Sequence, residues 1–335
     1  MGELRRDPIV GRWIIVDTET PLVPEMFEKE EHLWRGGECP FCYGNETKTP
    51  PEIEAVRDPK TQPNTPGWQV RVVPNKFPAL QVEGDIDRRG LGVYDLSRGI
   101  GAHEVIIQSP YHNKEIPDLL DEEVGNIIGI YCRRAKDLMK DKRFKYLLVF
   151  KNYGPSAGAS LEHPHTQLIA LPMVPKNPAE EIGGALEYFE FRERCLFCDM
   201  LRQEKQEEMR VIAENKYFIC FCPFASRFTF ETWIVPKIHN SFYWEMNPQE
   251  VVDLTKMLKE VLLRLRVVLS DPAYNFIIHT APLHQDSDLT HYHWHIEIMP
   301  KLMRVAGFEW GTGFYIVSTP PEMAAKYLRE AVISV

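Results

Sequence analysis

Four landmarks occur twice along the chain in the same order, and this repetition constrains the fold more than any single motif does. The first pass runs Cys39-Pro-Phe-Cys42, then Arg71-Val-Val-Pro-Asn75-Lys76, then Glu104 eight residues before His112, then His163-Pro-His165. The second runs Cys195-Leu-Phe-Cys198, then Arg210 to Asn215-Lys216, then Glu231 eight residues before His239, then His293-Trp-His295. Such self-similarity means that one structural unit has been used twice. We therefore expect two domains, 1–172 and 179–335, joined by the Pro-containing stretch Pro172–Pro178, and 335 residues suffice for two cores.

Local patterning places strands and helices around the landmarks. Glu104–Gln108, Tyr146–Phe150 and Gln167–Ala170 read as strands, and Leu119–Lys140 carries apolar residues at helical spacing after an acidic start. In the second pass, strands are expected near 217–222, 231–235, 275–279 and 293–299. The helix Pro248–Leu269 presents a leucine stripe that must face a core. Further helices are expected at 179–194 and 322–331. The class is α+β, each half an antiparallel sheet with packed helices.

Acidic residues outnumber basic ones, 48 to 39, for a formal charge of −9. That is the wrong sign for binding nucleic acid through bulk electrostatics, though a small phosphorylated ligand needs only a local positive site. No apolar run reaches the roughly 18 residues of a membrane span, and the charged N-terminus lacks a signal-peptide core, so a cytoplasmic protein with no membrane partner is expected. The chain has 7 cysteines, four of them in the two Cys-x-x-Cys pairs. In a reducing compartment that pattern suggests metal thiolates.

Each half thus offers two thiolates and two histidines, the Cys₂His₂ set that tetrahedral Zn²⁺ prefers. The expected sites are Cys39, Cys42, His112 and His163, and Cys195, Cys198, His239 and His293, both closed by protein and hence structural. His163, His165 and Gln167 should share one strand face. The preceding small-residue loop, Asn152 to Ser160, suits an anion-binding nest of backbone N–H groups. With His163 held by metal, His165 is the free imidazole beside that nest, placed to attack phosphorus as a neutral nucleophile. His32, His103, His284 and His291 receive no role.

These residues resemble the galactose-1-phosphate uridylyltransferase family of the histidine triad superfamily. The resemblance runs from Asp7-Pro-Ile-Val-Gly-Arg-Trp13 to Gly307-Phe-Glu309, and its most specific piece is Asn152 through His163-Pro-His165-Thr-Gln167. It implies a fold of two histidine-triad-like domains and a double displacement. His165 would attack the α-phosphorus of UDP-glucose, release glucose 1-phosphate, and pass the uridylyl group to galactose 1-phosphate. It further implies phosphate contacts from Asn152, Ser160 and Gln167, a nucleotide contact from Asn75, hexose contacts from Phe308 and Glu309 with Lys301 a weaker match, and a homodimer whose site is completed across the interface.

The chain departs from the family in three places. Two arginines that follow the opening segment in well-known bacterial members are replaced here by Asp17-Thr-Glu-Thr-Pro-Leu-Val-Pro24, and a glutamine expected near Tyr315 is missing. Some members hold iron at the second site with a Glu and three His, for which Glu181, His279, His293 and His295 stand at compatible places. Because Cys195 and Cys198 are present, zinc is preferred there. The missing arginines and the paired Cys₂His₂ sets also keep open a plant-type relative, an ADP-glucose phosphorylase that transfers adenylyl to phosphate. A non-catalytic, zinc-bound nucleotide sensor is the rival from another class.

Overall fold

The two passes of the sequence fold into one continuous sheet. The computed structural model describes residues 2–30, 38–284 and 289–333, and His32 lies outside them. The first half contains strands β1 (Glu3–Arg6), β2 (Trp13–Val16), β3 (Glu54–Arg57), β4 (Trp68–Pro74), the hairpin β5 (Arg89–Leu91) and β6 (Tyr94–Leu96), and β7 (Ala102–Ile107). Helix α1 (Asp121–Leu138) and strands β8 (Tyr146–Tyr153) and β9 (His165–Leu171) complete it. The second half follows as α2 (Lys176–Arg192), α3 (Leu196–Glu207), β10 (Val211–Glu214), β11 (Phe218–Phe221), β12 (Thr232–Pro236) and α4 (Pro248–Leu269). It ends with β13 (Tyr274–His279), β14 (His295–Pro300), α5 (Gly307–Thr312), β15 (Tyr315–Val317) and α6 (Pro321–Glu330).

The 10-stranded sheet has the order β10-β11-β12-β14-β13-β8-β9-β7-β4-β3. Counted outward from the central β13–β8 pair, both sides visit their strands in the same sequence, and every pairing is antiparallel. The duplication is therefore geometric as well as sequential. A separate three-stranded sheet, β1-β2-β15, ties the two ends of the chain together, with β15 parallel to β2.

Side chains alternate across the sheet. One face is buried under α1 and α4: Val72, Ile106, Leu147, Val149, Leu168 and Ala170 pack there with Ile127, Ile130, Leu258, Val261 and Leu265. Each buried Val, Leu or Ile among them contributes roughly 1.5–3 kcal/mol relative to exposure. Helix α4 starts where its sequence directs: Asn247 accepts N–H bonds from Gln249 and Glu250, Pro248 fills the first turn, and Ser270 closes the helix at positive φ. The opposite face carries two smaller clusters, Phe41 with Val73, Val105 and Ile107 in the first half, and Phe197 with Trp233 and Tyr292 in the second. The histidines project on that face.

Several boundaries differ from the sequence reading. Strand β9 starts at His165, so His163 lies in the loop before it, and His293 likewise precedes β14. Helix α2 starts at Lys176, inside the expected linker, and Gly184 lets it touch the N-terminal segment, because a Cβ there would lie 1.8 Å from the Ile9 carbonyl oxygen. Helix α3 was not anticipated.

Candidate active site and metal clusters

The structure assembles both Cys₂His₂ sets. In each, one ligand atom from every member lies within 4.8 Å of the others, an arrangement that can hold a metal ion. The Cys42 Sγ lies 3.1 Å from His112 Nδ1 and 3.7 Å from His163 Nδ1. The matching distances from Cys198 Sγ are 3.5 Å to His239 Nδ1 and 3.6 Å to His293 Nδ1. The outer shell agrees: His163 Nε2–H donates to the Ser109 carbonyl at 2.8 Å and His293 Nε2–H to the Pro236 carbonyl at 2.9 Å. Those bonds leave each Nδ1 lone pair facing the cluster, which is how ligating imidazoles are oriented. Burial and the adjacent Cys39 push the Cys42 thiol up to about 11, so a thiolate there needs a cation beside it. The alternative four-ligand set is not assembled as one, since His293 belongs to the cysteine cluster. Glu181, His279 and His295 remain together as a third group that can hold a metal.

His165 opens β9, held between β7 and β8 and against the edge of Phe41. Its Nδ1–H donates to the His163 carbonyl at 2.8 Å, which leaves the Nε2 lone pair free. Burial pushes its pKa down to about 4, with the Lys151 charge acting in the same direction, so the ring is neutral at neutral pH. Beside it is a cavity of about 380 Å³, lined among others by Lys151, Asn152, Ser160 and Arg266. Lys151 is itself buried, with Nζ 2.9 Å from Glu115 and 2.8 Å from the Gln108 oxygen. Among the sequence candidates, His112, Asn152, Ser160, His163 and His165 line this cavity.

The loop before His165 spends four N–H groups of the expected backbone nest on other partners. The N–H groups of Ala157, Gly158 and Ala159 are spent on carbonyls of Gly154 and Pro155 within the loop. The Ser156 N–H and hydroxyl are spent on the Glu30 carboxylate, at 3.1 and 2.8 Å. Gln167 and Asn75 both meet the edge of His103: its Nε2 lies 2.8 Å from Gln167 Oε1 and 3.1 Å from Asn75 Nδ2. Asn152 Oδ1 accepts from Asn275 on β13, at 2.8 Å. His103, Lys151 and Asn275 were missed by the sequence reading. Their local signals were a lone histidine and two polar residues inside apolar strands.

Phe308 and Glu309 lie on α5 in the second half, and neither is among the described residues lining the His165 cavity. Glu309 instead lines a shallow groove with Phe228, Met303 and Tyr315, while the Lys301 ammonium sits over the Phe228 ring, 4.3 Å from its centre.

The second half keeps the geometry of His165 without its access. His295 Nδ1 also meets the carbonyl two residues before it, at 3.2 Å, but the ring is fully buried. It stacks between Trp233 and His279, with centroids at 4.7 and 4.6 Å. Where Gln167 stands in the first half, Glu297 forms ion pairs with Arg227 and His279. Burial opposes charge on His279, yet Glu181 and Glu297 hold its pKa up at about 10.

A profile for the N-terminal domain of galactose-1-phosphate uridyl transferase matches residues 50–175, and one described as Domain of unknown function (DUF4921) matches residues 118–334. The Thermotoga maritima galactose-1-phosphate uridylyltransferase is 29% identical over 344 residues, covering 100% of both chains. The Arabidopsis thaliana ADP-glucose phosphorylase is 36% identical over 338 residues, 99% of this chain and 93% of that protein. The chain belongs to the galactose-1-phosphate uridylyltransferase family. It is a nucleotidyltransferase of that family, with its antiparallel, helix-packed fold. The crystal structure of the Arabidopsis thaliana ADP-glucose phosphorylase with bound ADP-glucose superposes with a TM-score of 0.83 at 35% identity, covering 99% of this chain and all 100% of that one. No helix among the described residues is long and apolar enough to cross a membrane.

Proposed function

We propose that this family member transfers a nucleoside monophosphate from a nucleotide sugar to a phosphate-bearing acceptor through a covalent nucleotidyl-histidine at His165. The observation that carries this reading is His165 itself: neutral, with Nε2 free, at the edge of a cavity that also presents Asn152 and Ser160. In the first step Nε2 attacks the α-phosphorus, the bond from that phosphorus to the bridging oxygen breaks, and the sugar 1-phosphate leaves with the bond's electron pair. In the second, a phosphate oxygen of the acceptor attacks the same phosphorus and the P–N bond breaks, restoring neutral His165. Asn152, Ser160 and Gln167 donate hydrogen bonds to the phosphoryl oxygens as charge shifts onto them, and Asn75 contacts the nucleotide.

The donor we assign is UDP-glucose and the acceptor galactose 1-phosphate, supported by the uridyl transferase profile and the full-length Thermotoga relative. ADP-glucose with phosphate as acceptor is the second reading, supported by the higher identity to the phosphorylase. Residues 1–172 act as the catalytic domain and 179–335 as a degenerate copy. Zn²⁺ at the two Cys₂His₂ clusters would supply structure only, tying the cysteine segments to the sheet. Phe308 and Glu309 would meet the hexose in the site of a second chain, which requires a homodimer.

The test is the intact mass after brief incubation with UDP-glucose or ADP-glucose and no acceptor. A uridylyl adduct absent from His165→Ala supports the first donor, and an adenylyl adduct alone supports the second. No adduct from either refutes covalent transfer from these donors.

A further inference from the structure

A chain of formal charge −9 favours a phosphate group only where cations are gathered and left unneutralised. The His165 cavity does not gather them. Among its described lining residues, two cations, Lys151 and Arg266, stand against four carboxylates, Glu115, Asp118, Glu162 and Asp271. Lys151 is paired with Glu115 at 2.9 Å, and Arg266 with Asp118 and Asp271 at 2.7 and 3.4 Å.

Unneutralised cations lie instead at the groove beside α5. Arg227, Phe228, Arg304 and Tyr315 line it together with Glu309. Among the described residues, the Arg304 guanidinium has no hydrogen bond or ion pair, and neither has the Lys301 ammonium that sits over Phe228. Arg227 gives Nη2 to Glu297 and keeps Nε and Nη1 unspent.

An aromatic pair holds these charges in place. Phe228 and Tyr315 meet edge to face at 5.6 Å, and Lys301 Nζ and Arg227 Cζ lie 4.3 and 5.8 Å from the centre of the Phe228 ring. Arg12 adds a further charge over Tyr315, its Cζ 5.7 Å from the ring centre. Such contacts fix a cation without cancelling its charge. Two cations on one ring also repel: burial, joined by the Arg227 charge, holds the Lys301 pKa below its ordinary value. The carboxylates nearby are already engaged. Glu231 accepts the Trp233 indole N–H and two backbone N–H groups, and Glu297 is shared between Arg227 and His279. Glu309 gives Oε2 to the Ala306 N–H at 2.9 Å and keeps Oε1 unspent.

We propose that Arg227, Lys301 and Arg304 form an anion subsite that takes the phosphate of a sugar phosphate, with the unspent oxygen of Glu309 accepting from a sugar hydroxyl. A phosphate monoester brings nearly two negative charges and three acceptor oxygens, which answer three cations with donors to spare. Glu309 selects the sugar, because a carboxylate accepts from hydroxyls and repels bare phosphate. The proposal rests on the assignment of Glu309 to the hexose and adds to it the grip on the phosphate. It gives the second half a part in substrate binding.

The test is calorimetric binding of galactose 1-phosphate, glucose 1-phosphate and inorganic phosphate to the full chain without nucleotide. It compares the unsubstituted protein with Lys301→Gln, Arg304→Gln and Glu309→Gln; Arg227 is left in place because it also neutralises buried Glu297. Each cation substitution should weaken binding of the sugar phosphates about tenfold and flatten its salt dependence, a signature of a lost charge contact that a folding defect does not give. Lys60→Gln, in the connection between β3 and β4, removes the same charge elsewhere and should change neither. Glu309→Gln should weaken the sugar phosphates but not inorganic phosphate. Inorganic phosphate bound as tightly as the sugar phosphates, and lost equally in both cation variants, overturns the sugar phosphate as occupant in favour of free phosphate. No binding of any of the three, or affinities unchanged in Lys301→Gln and Arg304→Gln, overturns the subsite. Because binding is read without turnover, the two readings fail separately: groove binding with no nucleotidyl adduct removes covalent transfer alone, and an adduct with no groove binding removes the subsite alone.

Discussion

The nucleophile proposed at His165 depends on a lone pair at Nε2, and burial keeps that lone pair available. Because the pKa is pushed from 6.5 down to about 4, protonation, which would block attack, occurs only well below neutrality. The single-turnover rate of adduct formation should therefore stay level from about pH 8 to about pH 5.5 and fall as pH drops toward 4. A fall centred near 6.5, with metal content unchanged, would show an ordinary solvated imidazole instead. At this scale much was legible. The cysteines and histidines of the two clusters and His165 belong to landmarks that occur twice, so spacing alone gathered them. His103 and Asn275 were not legible. Their partners lie 64 and 123 residues away, and only sheet register brings them together. The backbone nest was only partly legible for a different reason: small residues permit exposed N–H groups, but this loop turns those of Ala157, Gly158 and Ala159 onto its own carbonyls and that of Ser156 onto Glu30.

The two cysteine motifs sit in elements of unequal strength, and with the zinc we propose in both clusters this predicts unequal consequences of losing metal. Cys195 caps α3 and Cys198 lies in its first turn, so that motif has a helix of its own to hold it. Cys39 and Cys42 lie in turns, steadied locally by the Asn45 bond to the Cys39 carbonyl and by Glu46, which accepts the Trp68 indole N–H at 2.8 Å. Their cluster also fixes His163, whose carbonyl orients His165. Chelation should lower the melting temperature by roughly 5 °C or more, followed by circular dichroism with metal content measured in parallel. Cys195→Ser should lose stability while still forming the adduct, whereas Cys39→Ser should lose both. Equal adduct formation in the two variants would break the link from the first cluster to His165. The periodic elements, α1 and α4 above all, were legible because their apolar stripes have a core to cover. Helix α3 was not, because its opening Cys-Leu-Phe-Cys is at once a metal spacing and a helical turn.

At the scale of the whole molecule, the joining of β8 to β13 makes one sheet of two halves, a junction that neither half's sequence specifies because any free edge offers the same backbone groups. The sheet sets His165 in the first half and α5 in the second, and Phe308 and Glu309 on α5 do not line the cavity of their own chain. If Phe308 and Glu309 serve a partner's His165, as we propose, the two defects should complement. Consider chains carrying His165→Ala mixed with chains carrying Glu309→Ala, unfolded and refolded together so that subunits exchange. In a mixed dimer one site combines both lesions, and the other combines an intact His165 with an intact Glu309. Random pairing makes half the dimers mixed, each with one good site of two, so the overall transfer rate should recover to about a quarter of the unsubstituted protein's. Each variant alone should stay far below that. A mixture no more active than the average of its components would mean that each chain builds its site alone, and that α5 must reach its own cavity by a movement of the segment joining it to β14.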